Sequence, residues 1–401
     1  MKLRIFSSAA RGEVSAPPSK SMTHRALICA ALAKGESRIA NVSHCEDVQA
    51  TLDCLRALGA DCQLQNGTAI VRGTDFTKSA TAILPCRESG STMRFMLPLC
   101  LLSGNEMTLV GEPALMHRPM MVYADLCYAH NSFFKQTERG ITVKGTLTAG
   151  EYTLPGDVSS QFISGMLFPL TQVAGESILH ILPPIESRSY IEMTLQVLNA
   201  FGADVKWFND TTIFIGGGKP MTAQNFTVEG DYSNAAFFAA LNLLGGEVTV
   251  AGLAPASLQG DRVYLEHFAS LSKGFATISV EDCPDLAPIL FALAAAKSGG
   301  RFTDTRRLAI KESHRAEAMA TELRKFGTTV DVRENEVIIT PTDFHAPTKT
   351  LCGHNDHRIV MALAILATKT GGEIEGADAV NKSFPDFFER LFMLGVKIQE
   401  I

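Results

Sequence analysis

An α/β protein of two domains, each built from three strand–helix units with helices inside and sheets outside, is the fold class predicted here. Three observations carry it. A chain of 401 residues exceeds what one ordinary hydrophobic core supports, so two domains are the expected minimum. A phrase of apolar helix, Gly-Glu or a near variant, and alternating strand recurs six times. The helices in these phrases are apolar around most of their circumference, which places them in the interior of a bundle.

The phrase runs through Ala33 to Ile39, Ser103 to Leu109, Ala174 to Ile178, Gly245 to Val250, Gly299 to Phe302 and Gly371 to Ile374. Its anchors Glu36, Glu106, Glu176, Glu247, Arg301 and Glu373 are separated by 70, 70, 71, 54 and 72 residues. Between them falls a second phrase of helix, Gly, strand, turn and strand. Leu55 to Asp61 leads into Gln63 to Arg72, Leu198 to Asp204 into Lys206 to Ile215, and Leu323 to Gly327 into Thr329 to Thr340. Gly after an apolar helix is a usual stop because it accepts positive φ, and Asn66-Gly67 is a strong hairpin turn. Each unit therefore reads as strand, helix, strand, helix and hairpin.

Composition narrows the function classes. An apolar fraction of 46% with 19% charged residues describes a well-packed globular protein. A net charge of −6 gives no overall attraction to nucleic acid, so anion binding has to be local. Nine scattered cysteines without a C-x-x-C pair fit a reduced chain in the cytoplasm. Met1 to Glu13 lacks the apolar stretch of a secretory signal, and runs such as Ile359 to Ala367 fall short of the roughly 18 residues that suggest a membrane span. A soluble protein with no membrane partner is expected.

Five helices open on a polar, often basic cluster. These are Pro17 to Arg25, Arg87 to Arg94, Gly156 to Gln161, Lys311 to Arg315 and Asn355 to Arg358. A helix N-terminus has unpaired N–H groups and partial positive charge, so Ser, Gly and Lys there cradle an anion, and Arg adds a bidentate fork. Any one cluster also reads as an ordinary cap with a solvated base beside it. Repetition favours the anion reading: acids outnumber bases by 42 to 36, yet these starts collect Lys20, Arg25, Arg94, Lys311, Arg315 and Arg358. Asp285 and Glu312 are the acids expected among the bases. Two carboxylates in a cationic site either divide acid and base roles or simply cap helices and pair with Arg, and spacing alone leaves both open. There is no G-x-x-x-x-G-K-[ST], no G-x-G-x-x-G, no H-E-x-x-H and no metal-spaced Cys/His group, so neither a nucleotide nor a metal cofactor is indicated.

Taken together, Pro18-Ser-Lys-Ser21 with His24-Arg25, Glu88-Ser-Gly-Ser91 with Arg94, His117-Arg-Pro119, Gly156 to Gln161, Ser187 with Tyr190-Ile191, Gly230 to Ser233, Pro284-Asp285, Lys311-Glu312 with Arg315, Asp356-His-Arg358 and Lys382 to Pro385 resemble the 3-phosphoshikimate 1-carboxyvinyltransferase (EPSP synthase) family. The motifs follow the family's order over almost the whole chain. The resemblance implies two domains, each an inside-out α/β barrel of three βαβαββ units. It places one domain at 20–227 and the other at 1–19 plus 228–401, with hinge crossings near 19 and 227. The implied reaction joins shikimate 3-phosphate to phosphoenolpyruvate and releases phosphate, and closure of the domains on shikimate 3-phosphate is expected.

By the same resemblance Lys20 touches both substrates, and Ser21, Arg25, Ser159, Ser160, Gln161, Ser187, Asp285 and Lys311 hold shikimate 3-phosphate. Gly90 through its backbone, Arg118, Gln161, Arg315, Arg358 and Lys382 hold phosphoenolpyruvate. Asp285 is the implied base, Glu312 the implied proton carrier and Lys20 the third implied catalytic residue, in a monomeric cytoplasmic enzyme. His314, Ser91, Arg307 and Phe95 depart from residues common in the family. The sister family that uses UDP-N-acetylglucosamine opens on Ser-Lys-Asn and carries a Cys in a mobile loop. This chain has Ser19-Lys-Ser21 and no Cys from Gly111 to Met121. A non-catalytic anion-binding relative is the remaining alternative, and it would not need Lys20, Asp285 and Glu312 together.

Overall fold

The computed structural model describes residues 1–401 and divides into two units, Pro18–Glu229 and the discontinuous Met1–Pro17 with Gly230–Ile401. In the Pro18–Glu229 unit three four-stranded sheets share one pattern, a parallel pair followed by two antiparallel neighbours. Two of them run Ala82–Arg87, Met107–Gly111, Gly140–Lys144, Phe133–Gln136 and Glu151–Pro155, Gly175–Leu182, Thr212–Gly217, Asp204–Asn209. A helix connects each parallel pair, as a parallel crossover requires. In the third sheet, Glu36–Ala40, Thr68–Arg72 and Asp61–Gln65 follow an edge strand, Asn225–Thr227, taken from the far end of the unit. Its register sets Phe226 beside Ile39 and so closes the threefold repeat. The turn at Asn66 and Gly67 has φ of 48° and 71°, the two positive values that a tight hairpin demands.

The unit's main helices are α1 (Lys20–Leu32), α2 (Glu46–Ala57), α3 (Gly90–Cys100), α4 (Ser160–Leu170) and α5 (Arg188–Ala200). Every residue of α1 from Met22 to Leu32 is buried, which is why its sequence shows no polar stripe. Close helix packing also depends on Gly165 of α4: a Cβ there would lie 2.5 Å from the Arg94 carbonyl oxygen of α3. The Tyr123 hydroxyl donates to that same carbonyl at 2.8 Å and to that of Phe162 at 3.0 Å, tying α3 to α4.

The other unit repeats the plan with one omission. Ala276–Ser279, Gly300–Thr303, Glu336–Pro341 and Thr328–Arg333 form one complete sheet, and Leu351–Cys352, Gly372–Glu375, Lys2–Ile5 and Ile398–Glu400 form another. The third has only Arg11–Ser15 and Glu247–Ala251, in parallel. Its hairpin is missing, and helix Tyr264–Lys273 passes directly into strand Ala276–Ser279. That omission accounts for the short 54-residue spacing between Glu247 and Arg301. The inner helices are α6 (Tyr232–Ala240), α7 (Ala287–Ala296), α8 (Arg315–Arg324) and α9 (His357–Thr370). Ala287 to Ala295 in α7 and His357 to Thr368 in α9 are buried without interruption. The six sheets stay separate and none closes on itself. No helix is long and apolar enough to cross a membrane.

Candidate active site

In the Pro18–Glu229 unit the polar residues gather at the starts of inner helices. Ser19 caps α1, its hydroxyl accepting from the Met22 N–H at 3.4 Å, and this sets Lys20 at the first helical position. Lys20 Nζ lies 2.6 Å from Asp47 Oδ2 at the start of α2. Asp47 was not singled out from sequence, because nothing local links it to a lysine 27 residues earlier. Ser21 follows on α1, and its carbonyl accepts from Arg25.

Ser89 caps α3 in the same manner, with Gly90 next. Arg118 crosses directly over Gly90: a Cβ at that glycine would come within 2.5 Å of its Nη1. One turn on, Arg94 donates to Gln161 Oε1 at 2.6 Å, and Gln161 Nε2 donates to Ser91 Oγ at 2.8 Å. The Ser159 hydroxyl accepts from the Gln161 N–H at 3.3 Å and so caps α4, where Ser160 is the first residue. Ser187 precedes α5 at φ 57°, ψ 44°, a left-handed conformation that a serine adopts only at a cost.

Arg25 lies deeper than its place in the motif suggests. It is 2% exposed and donates to Thr194 Oγ1, Ser21 O, Ser164 Oγ and Tyr190 O, binding α1, α4 and α5 together. Four of its five N–H donors serve the protein, leaving one on Nη1. Burial brings its pKa down to about 10.

The Gly230–Ile401 unit brings Asp285, Lys311, Glu312, Arg315 and Arg358 into one cluster. Arg315 is its hub at 1% exposure. Its Nε donates to Asp356 Oδ2 at 2.9 Å, Nη1 to Asp285 Oδ1 at 2.7 Å, and Nη2 to Glu312 Oε2 at 2.6 Å. A single guanidinium thus holds both candidate acids, with Asp356, fully buried, fixing its far edge. Asp356 also caps α9 by accepting from the Arg358 N–H at 2.9 Å. It stood in a recognised motif but without a role, since an N-cap aspartate gives no sign of what its second oxygen does.

Arg358 Nη2 reaches Asp285 Oδ2 at 3.1 Å and its Nη1 donates to Ser233 Oγ at 2.6 Å. Lys311 Nζ stands 3.6 Å from Asp285 Oδ1. Burial alone would raise the Asp285 pKa, but Arg358, Lys311 and Arg315 together hold it well below the usual carboxylate range. Lys311 is brought down to about 8, first by burial and then by Arg315 and Arg307, against the pull of Asp285 and Glu312. Lys382 Nζ donates to the Asn355 carbonyl at 2.6 Å beside the α9 start. Lys311, Arg315 and Arg358 all converge on Asp285, a concentration of cations suited to an anion.

The four departures have physical places. His314 caps α8, its Nδ1 accepting from the Glu317 N–H at 3.3 Å, which is the job an acid would do there. Ser91 receives the Gln161 amide, and Arg307 donates to the Glu281 carbonyl. Phe95 packs edge-on to Phe168 and lies under the Arg25 guanidinium at 5.2 Å.

Known proteins resemble this arrangement along the whole chain. A family model described as EPSP synthase (3-phosphoshikimate 1-carboxyvinyltransferase) matches residues 6–272 and 267–391. A 3-phosphoshikimate 1-carboxyvinyltransferase of Clostridium kluyveri is 37% identical, covering 97% of this chain and 96% of that relative. One from Clostridium perfringens is 35% identical, covering 100% and 99%. The solved EPSP synthase of Acinetobacter baumannii shares the fold at a TM-score of 0.80 and 24% identity, covering 99% of each chain. The chain therefore belongs to the EPSP synthase family of 3-phosphoshikimate 1-carboxyvinyltransferases.

Proposed function

We propose that this chain transfers the enolpyruvyl group of phosphoenolpyruvate to the 5-hydroxyl of shikimate 3-phosphate, and that Asp285 and Glu312 carry its protons. The hydroxyl oxygen bonds to C2 of phosphoenolpyruvate while C3 takes a proton, giving a tetrahedral intermediate. Loss of a proton from the new methyl group and departure of phosphate then restore the double bond. Such a path needs a base, a proton carrier and positive charge around two anions.

The observation that carries the reading is Arg315 donating at once to Asp285 and Glu312. It orients both carboxylates before substrate arrives and helps to keep Asp285 ionised. Bound phosphate and carboxylate groups compete for Arg358, Lys311 and the remaining Arg315 N–H. Asp285 then loses part of its cationic support and becomes more basic, which suits it to receive the hydroxyl proton. Glu312, on the other side of the same guanidinium, serves C3.

Binding roles follow the family resemblance. Lys20, Ser21, Arg25 through its one open N–H, Ser159, Ser160, Gln161, Ser187, Asp285 and Lys311 serve shikimate 3-phosphate. Lys20, the Gly90 backbone, Arg118 and Gln161, with Arg315, Arg358 and Lys382, serve phosphoenolpyruvate. The reading includes a monomer in the cytoplasm; nine free thiols suit that reducing compartment. Phosphate release with both substrates, and none with either omitted, is the expected outcome. Release with UDP-N-acetylglucosamine in place of shikimate 3-phosphate would overturn the choice of acceptor.

Gly90→Ala places a methyl group against the Arg118 guanidinium, which has to swing aside. The KM for phosphoenolpyruvate is expected to rise about tenfold, the loss of one charge-assisted contact, with the melting temperature little changed. Steady-state kinetics with phosphoenolpyruvate as the varied substrate check this. Lys311 gives a pH dependence of known sign. Only its protonated form attracts phosphate, and in the free enzyme that charge is lost as pH rises through about 8. kcat/KM for shikimate 3-phosphate should fall across that range, and Lys311→Arg should move the fall to higher pH.

A further inference from the structure

Beneath the Lys20–Asp47 pair runs a buried line of polar groups that the proposed chemistry does not use. His24 Nδ1 lies 2.7 Å from Thr51 Oγ1, and Thr51 Oγ1 lies 2.7 Å from Thr92 Oγ1. Thr92 Oγ1 in turn donates to Ser89 Oγ at 2.8 Å and approaches the Asp47 carbonyl at 3.3 Å. All four side chains are at most 1% exposed. Such groups are costly to bury in an otherwise apolar core, where valine or leucine would pack without hydrogen-bonding demands.

Their spacing relates them to the substrate-handling residues. His24 is four residues after Lys20 on α1, and Thr51 is four after Asp47 on α2. Residues i and i+4 share a helix face, so the Lys20–Asp47 contact and the His24–Thr51 contact are two rungs of one ladder, a turn apart. Thr92 extends the lower rung to α3, two residues past Gly90, and Ser89 is the cap immediately before Gly90. The line therefore joins the starts of α1, α2 and α3, where Lys20, Asp47 and Gly90 stand.

It also has a direction. Thr92 has one hydroxyl proton, and both the Asp47 carbonyl and Ser89 Oγ accept from it. Thr92 then accepts from Thr51, and Thr51 accepts from an Nδ1–H of His24. A neutral ring with a bare Nε2 meets this requirement, and Nε2 is buried without a hydrogen-bond partner. Burial, with Lys20 and Arg25 adding to it, holds the His24 pKa well below its ordinary value and keeps the ring neutral.

We propose that His24, Thr51 and Thr92, ending on Ser89, are positioning residues that fix the α1, α2 and α3 starts relative to one another and so set Lys20 and Gly90 for phosphoenolpyruvate. The proposal rests on the reading of Lys20 and Gly90 given above. Thr51→Val keeps the side-chain shape and cuts the line in the middle. The KM for phosphoenolpyruvate is expected to rise about tenfold with kcat affected less, and Thr51→Ser, which keeps the hydroxyl, is expected to stay near the parent. Thr92→Val should match Thr51→Val, and the double variant should be no worse than either single one, because a line broken once is already broken.

A Thr51→Val enzyme with parental KM, or singles whose effects simply add, would overturn the proposal. Lys20→Met measured alongside separates the two readings. A raised KM in Lys20→Met with none in Thr51→Val rejects the positioning line alone, whereas no change in either rejects the substrate assignment as well. Should Thr51→Val not fold, nitrogen-15 NMR of histidine-labelled parent enzyme decides. A neutral His24 carrying its proton on Nδ1 supports the line, and a proton on Nε2 contradicts it.

Discussion

Asp285→Asn and Glu312→Gln are each expected to lower kcat by about 10²- to 10⁴-fold, the usual contribution of a positioned proton-transfer group. Either amide keeps the shape of the acid and an oxygen that can still accept from Arg315. What it loses is the ability to take and return a proton. The binding of phosphoenolpyruvate should suffer little, because Arg315 and Arg358, relieved of one carboxylate, are more available to an anion. A kcat-dominated loss with a nearly parental KM and circular dichroism spectrum is the expected pattern. Steady-state kinetics on the two variants check it.

Arg315→Leu should have the largest effect on stability. The guanidinium is 1% exposed and binds Asp285, Glu312 and Asp356, the last of them fully buried. Removing it leaves like charges crowded together and one carboxylate without its main counter-ion. Breaking a buried pair in this way costs about 3–5 kcal/mol. For a domain of this size that corresponds to a fall in melting temperature of roughly 6–20 °C. Activity should vanish too, since neither acid keeps its orientation. Arg315→Lys, which retains charge but lacks the three-way fork, should lie between the two in thermal denaturation and remain almost inactive.

Much of this architecture is written in local patterns. The Gly-Glu phrases marked the strand that follows each apolar helix, and Asn66-Gly67 folds as the tight hairpin its residue types demand. The all-round apolar character of α1, α7 and α9 reflects burial on every side. The break in spacing between Glu247 and Arg301 was visible as a number, but its cause, a missing hairpin, lies in what the chain omits. Edge strands are harder still. Asn225–Thr227 and Lys2–Ile5 are short, and their partners lie far away in sequence.

The candidate site divides along similar lines. Lys20, Asp285, Glu312 and Arg358 were legible because each stands in a dense motif. Which cation meets which acid was not, because helix starts far apart in the chain supply the partners. Asp47 reaches Lys20, and Asp356 reaches back 41 residues to Arg315. Arg25 shows the converse: its motif suggests a ligand-facing base, whereas its guanidinium mostly joins helices. His24 stands in a motif beside Arg25, but nothing local links it to Thr51 or Thr92, and the line emerges only where three helices meet.

The central claim is that two acids sharing Arg315 divide the proton steps. Deuterium exchange tests it most directly. With shikimate 3-phosphate in D2O, the parent enzyme should place deuterium in the methylene group of re-isolated phosphoenolpyruvate, because protonation at C3 is reversible through the intermediate's methyl group. Glu312→Gln should slow that exchange by as much as it slows turnover. Exchange at the parental rate in Glu312→Gln would contradict the account.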